Sequence, residues 1–111
     1  IEETQADLVA SQLFGPIIGH VGDGNFHVVL SVDPEDHPMV ERMEQFHTRL
    51  VERALAMEGT CTGEHGIGMG KIDYLVDELG NEAVGVMATI KKALDPNRIM
   101  NPGKIIAETF F

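Results

Sequence analysis

Two short apolar runs flank a glycine-rich turn, and this restricts the first third of the chain to few folds. Ile17 to Val21 and Phe26 to Val32 are rich in β-branched residues, and Gly22-Asp23-Gly24-Asn25 separates them. A turn of that composition between apolar runs predicts an antiparallel hairpin with a four-residue loop. In that register Val21 pairs with Phe26 and His20 with His27. Residues opposite one another share a face, with Cβ atoms about 4.5–5.5 Å apart, so the two imidazoles stand side by side. The other face carries Val21, Phe26, Val28 and Leu30 and is expected to line the core.

Helical periodicity surrounds the hairpin. Ala6, Val9 and Leu13 predict a helix over roughly Glu2 to Leu13, ended by Gly15-Pro16. Asp33-Pro34-Glu35-Asp36 opens a second helix, long and amphipathic, with Met39, Met43, Phe46, Leu50, Ala54 and Met57 on its stripe and Gly59 as its stop. Thr60-Cys61-Thr62 is expected to be a short strand, and residues 63 to 70 a glycine-rich loop. Lys71 to Leu79 reads as a helix ending at Gly80. Glu82 to Leu94 reads as another, with Ala83, Val86, Met87, Ile90 and Leu94 buried. Asp95-Pro96-Asn97 breaks it, and the apolar tail from Ile99 to Phe111 shows no clear period. Strands grouped apart from helices, in 111 residues of which 43% are hydrophobic, imply one α+β domain. The expected architecture is a small antiparallel sheet covered on one face by helices.

A formal charge of −10 is a poor match to nucleic acid, which requires a basic face. It leaves an anionic substrate open, since a few basic side chains or a metal can reverse the field inside one cleft. No apolar run approaches the roughly 20 residues of a membrane span. The single cysteine, Cys61, forbids an internal disulfide and favours a reducing compartment. The chain starts Ile1-Glu2-Glu3 without a methionine and is expected to be a piece of a longer protein.

Paired histidines are a common start to a divalent metal site and need a further ligand. Glu64, in a loop where glycines let backbone approach a ligand, is the best candidate third ligand. The alternative is two surface histidines, and a slip of one residue would put the rings on opposite faces. His65 follows Glu64 and suits a general base beside a metal, or else is an exposed loop histidine. On an extended segment the two neighbours would diverge and not share an ion. His37 and His47 read as structural. Gly66-x-Gly68-x-Gly70-Lys71 superficially resembles a phosphate loop but lacks the four-residue gap and the Ser/Thr after lysine. Lys71 either meets a substrate carboxylate or is solvated. Cys61 lacks a convincing oriented base for nucleophilic chemistry.

Three segments in order carry a resemblance: Gly19-His20-Val21-Gly22-Asp23-Gly24-Asn25-Phe26-His27; Gly59-Thr60-Cys61-Thr62-Gly63-Glu64-His65-Gly66-Ile67-Gly68; and Leu94-Asp95-Pro96-Asn97 with Met100-Asn101-Pro102-Gly103-Lys104. Together they resemble the C-terminal domain of FAD-linked oxidases, a family that includes D-lactate dehydrogenases, the glycolate oxidase FAD subunit and D-2-hydroxyglutarate dehydrogenases. The pattern most resembles the cytochrome-type D-lactate dehydrogenases. The resemblance implies a two-domain flavoenzyme whose ferredoxin-like cap domain covers the flavin. Residues 1–98 would be a portion of that cap, and residues 99–111 a C-terminal tail packing on an FAD domain absent from this sequence. His20, His27 and Glu64 would ligate a divalent metal (zinc, iron or manganese), and His65 would take the 2-hydroxyl proton as hydride moves to FAD. Asn25 would orient substrate or a ligand histidine, and Asn101 matches a position near the flavin.

One position departs from part of the family. D-2-hydroxyglutarate dehydrogenases tend to carry asparagine two residues after the second ligand histidine, where this chain has Val29. Valine suits a short or apolar substrate tail, so D-lactate or a related 2-hydroxy acid is favoured. The implied partners are that acid, the protein's own N-terminal FAD domain, and a cytochrome or quinone as electron acceptor. The implied location is mitochondrial in a eukaryote, and cytoplasmic or peripheral to the membrane in a bacterium. The piece alone is expected to be inactive and, through its uncovered surface, to self-associate or be disordered. The competing reading is a stand-alone metal-binding or interaction module without flavin chemistry.

Overall fold

The computed structural model describes residues 1–111. They form two compact units, Ile1–Met57 and Glu58–Phe111.

The first unit contains α1 (Glu2–Ala10), β1 (Ile17–Ile18), a 3-10 turn (Val21–Asp23), β2 (His27–Val28) and α2 (His37–Ala56). Glu2 and Glu3 in the first turn of α1 complement the positive end of its dipole. The buried residues of α1 are Thr4 and Leu8, joined by Leu13 beyond its end. The expected stripe is therefore rotated: Ala6 and Val9 face solvent, because packing on Phe46 of α2 selects the Leu8 side.

The hairpin pairs Ile17 with Val28 and Ile18 with His27, two residues short of the expected register, and its connection is eight residues long. Local hydrogen bonds claim the groups that a longer ladder would need. The His20 carbonyl accepts from the amides of Asp23 (2.8 Å) and Asn25 (3.2 Å). Gly19 allows the close crossing: a Cβ there would lie 2.5 Å from the Asn25 carbonyl oxygen and from Phe26 Cα. A shift of two residues preserves the facing of the residues that still pair, but Val21, expected in the core, lies in the 3-10 turn and is 60% exposed. Ile17, Val28 and Leu30 pack against Leu8, Leu13 and Phe46, while Ile18 and Val29 are exposed.

Asp36 caps α2, its carboxylate accepting from the Met39 amide at 3.0 Å, with Pro38 in the first turn. Phe46, only 1% exposed, and Val51 are the buried anchors. Met39, Met43 and Leu50 are partly buried around Phe46, whereas Met57 lies past the helix end and is exposed. A polar clasp joins the two helices. Arg49 Nη2 donates to Asp7 Oδ1 at 2.6 Å, Arg53 Nη2 to Oδ2 at 3.1 Å, and Ser11 Oγ to Oδ1 at 3.1 Å.

The second unit contains a loop over residues 58–71, α3 (Ile72–Leu94) and a terminal 3-10 turn (Glu108–Phe110). α3 breaks at Gly80, whose φ of 80° and ψ of 160° are open to glycine and strained for other residues. The two helices expected on either side of Gly80 are thus present. The buried face beyond the break differs from expectation. Val84 and Ala88 pack with Leu75 and Ile106, and Val86, Ile90 and Leu94 lie outward at 60%, 54% and 76% exposure. The helix has two apolar stripes, and Ile106 from the tail selects one of them. Thr60 to Thr62 forms no strand; the Thr60 hydroxyl bonds the Thr62 carbonyl at 2.7 Å and curls the segment.

Asp95 ends α3 and organises the start of the tail. Its buried carboxylate accepts from the amides of Ile99 (3.0 Å) and Met100 (2.9 Å) and from Lys91. These bonds hold the carboxyl below the usual range, the Lys91 ammonium contributing most. The tail turns back on its own unit: Ile106 is buried, the Ile105 amide donates to Gly68 O at 2.8 Å, and Lys92 Nζ donates to Phe110 O at 2.9 Å. The fold class is α+β, with helices on one face of a two-stranded antiparallel sheet.

Candidate functional site

The expected site residues all lie on turns, strand ends or helix ends. His20 immediately precedes the 3-10 turn and is exposed. His27 is half-buried on β2, opposite Ile18. The side-by-side pairing of His20 with His27 expected from a four-residue loop is therefore not made, because His20 lies outside the ladder. Asn25 closes the turn. Its side-chain oxygen is buried without a hydrogen-bond partner, an acceptor left available for a donor that the protein does not supply.

In the second unit, Glu64 and His65 sit at the apex of the glycine-rich loop. Thr62 Oγ1 donates to the Gly66 carbonyl at 3.2 Å, closing a tight bend around them. The segment is not extended, so these neighbours converge: His65 Nε2 lies 3.9 Å from Glu64 Oε1, with both side chains well exposed. The divergence expected of an extended segment is lost in the bend. Lys71 is half-buried at the N-terminal boundary of α3. Asn101 is exposed with φ of 46°, a left-handed conformation that asparagine tolerates better than most residues. His37 is the first residue of α2 and His47 lies within it.

Cys61 sits beneath the loop. It is 2% exposed, and burial first, then the Glu78 carboxylate, push its thiol up to about 11. Glu78 Oε2 accepts the Cys61 amide at 2.7 Å. A protonated, buried thiol is a weak nucleophile, consistent with a structural role. Glu78 has no distinctive sequence signal. The Asp7–Arg49–Arg53 clasp is also absent from the sequence reading, although the i,i+4 arginines placed on one face of α2 are a readable signature.

Residues 1–105 match the family described as FAD linked oxidases, C-terminal domain. A probable mitochondrial D-lactate dehydrogenase of Danio rerio is 54% identical over 109 residues, covering 98% of this chain and 22% of the relative. The mitochondrial cytochrome-type D-lactate dehydrogenase 1 of Saccharomyces cerevisiae is 54% identical over 106 residues, covering 95% and 18%. A glycolate oxidase subunit of Bacillus subtilis is 42% identical over 90 residues, covering 81% and 19%. This chain belongs to the FAD-linked oxidase C-terminal domain family. It spans about a fifth of the length of these curated relatives.

Proposed function

We propose that this domain is the substrate-side portion of a flavin-dependent D-2-hydroxy acid dehydrogenase that oxidises D-lactate to pyruvate. The carrying observation is its 54% identity to relatives named D-lactate dehydrogenases over nearly its whole length. The donor chemistry fits a divalent ion: two imidazoles and a carboxylate suit zinc, iron or manganese and leave positions for substrate. His20, His27 and Glu64 would hold that ion, which when bound would polarise the substrate hydroxyl. FAD, held mainly by the remainder of the polypeptide with Asn101 nearby, would supply the two-electron acceptor.

The domain's own residues then have defined tasks. The His65 imidazole accepts the 2-hydroxyl proton as the α-hydrogen leaves with its electron pair. The Lys71 ammonium pairs with the substrate carboxylate. Asn25, with its unpartnered buried oxygen, orients a donor at the mouth of the site. Val29, exposed on the same side of β2 as His27, offers apolar contact to the short methyl tail of lactate and no partner to a second carboxylate. Val86, Ile90 and Leu94 give the remainder of the polypeptide an apolar surface to cover. A mitochondrial location would follow in a eukaryote, as for the two D-lactate relatives. The domain alone is expected not to turn over, since it corresponds to about a fifth of the length of its D-lactate dehydrogenase relatives.

The test is anaerobic reduction of the full-length flavoprotein. Bleaching of the flavin band by D-lactate, lost on chelation and restored by metal, is the expected result. Bleaching by 2-hydroxyglutarate in preference to D-lactate would overturn the substrate. Bleaching indifferent to chelation would overturn the metal's part.

A further inference from the structure

Four arginines occur in the chain, and three have carboxylate partners. Arg49 and Arg53 hold Asp7, and Arg98 holds Glu108. Arg42 has none, and its Nε is buried without a hydrogen-bond acceptor. A guanidinium is always charged, and a buried N–H that has given up water without gaining a partner is costly. An open cleft of about 400 Å³ lies beside it in the first unit, lined by Asp7, Ala10 and Ser11 of the first helical segment and by Arg42, Gln45 and Arg49 of α2. The three α2 residues are spaced i, i+3 and i+7 and therefore share one face.

The one acid in the lining is already engaged. Asp7 is held by Arg49, Arg53 and Ser11, so it adds little repulsion inside the cleft. Gln45 uses one side-chain amide donor on Glu41 at 3.2 Å, and a carboxamide carries two. The cleft therefore offers an uncommitted guanidinium and a spare amide N–H, in a volume typical of small-molecule sites. We infer that this cleft binds a small oxyanion, a carboxylate or a phosphate group, through Arg42 and Gln45. A planar guanidinium and an adjacent amide donor match two oxygens of such a group. The inference does not depend on the proposed dehydrogenase activity.

The test is calorimetric titration of the full chain with inorganic phosphate and, separately, with succinate, at constant ionic strength. Saturable binding of either probe is expected, and the preferred probe identifies the class of anion. Arg42→Gln should weaken it about tenfold or more, with Arg42→Lys retaining part of it. Gln45→Glu places a carboxylate at the same face without touching the arginine and should abolish binding, giving a second reading if Arg42→Gln folds poorly. No saturable heat with either probe would overturn the inference. So would binding that survives both Arg42→Gln and Gln45→Glu.

Discussion

Replacing Asp7 by asparagine keeps the side chain's size and removes its charge. In the folded chain the Asp7 carboxyl is drawn from 3.8 down to about 2, chiefly by hydrogen bonds from Arg49 and against the opposing effect of burial. At about 1.4 kcal/mol for each tenfold change in proton affinity, that displacement corresponds to roughly 2.5 kcal/mol of stability at neutral pH. The Arg49 side chain is 42% exposed, and solvent screening reduces the expected loss to about 1 kcal/mol. The sign follows from the lowered value. The contribution is fully present above the ordinary carboxylate range and is lost as pH falls from about 4 towards about 2. Urea unfolding of the wild type and Asp7→Asn, followed by circular dichroism at pH 7, 4 and 2.5, measures it. The difference between the two should be about 1 kcal/mol at pH 7 and should shrink steadily below pH 4. A difference that stays constant down to pH 2.5 would refute the ionic account and leave packing as the cause.

Single residues elsewhere carry equally definite expectations. Phe46→Ala, at the largest fully buried side chain of the first unit, should cost about 3–5 kcal/mol, read as a lower urea midpoint. Gly80→Ala forces a side chain into the break of α3 and should cost about 1–3 kcal/mol in the same assay. Asp95→Asn weakens the clasp on Ile99 and Met100, and hydrogen exchange at those two amides should accelerate while exchange at Val84 does not. Because the Asp95 carboxyl is also held low, the wild type should show the same acceleration as pH falls through the acid range. His65→Asn in the full-length flavoprotein should lower the rate of flavin reduction by D-lactate about 10²–10⁴-fold, with the flavin still bound.

Much of the fold is legible in the chain because local chemistry and tertiary packing agree. Asp36, the last residue of the stretch read as opening α2, caps it so that the helix starts at His37; Gly80 marks the break in α3, and the 3.6-residue spacing of Met39, Met43, Phe46 and Leu50 marks a buried face. The misreadings arise where two local solutions compete. Gly19 to Phe26 could have laddered or looped, and the His20 carbonyl's hydrogen bonds to Asp23 and Asn25 decide for the loop. The segment from Val84 to Leu94 carries two apolar stripes, and only the returning Ile106 reveals which is buried. Periodicity within a helix does not encode what packs against it. For the candidate site, the residue types and their loop placement are readable from the chain. The bend that brings His65 within 3.9 Å of Glu64 is not, because it depends on the Thr62 hydroxyl reaching Gly66.

The buried thiol gives the molecule a built-in clock. Cys61 is the sole cysteine, and its raised proton affinity keeps it unreactive while the second unit stays closed. A thiol reagent added under native conditions therefore modifies only molecules in which that unit has opened. Where reclosing outpaces modification, the labelling rate divided by that of an unfolded reference peptide gives the fraction open, and hence the local stability around Cys61 and its partner Glu78. The second unit can thus be weighed without engineering a probe, leaving the first unit, which has no thiol, silent in the same trace.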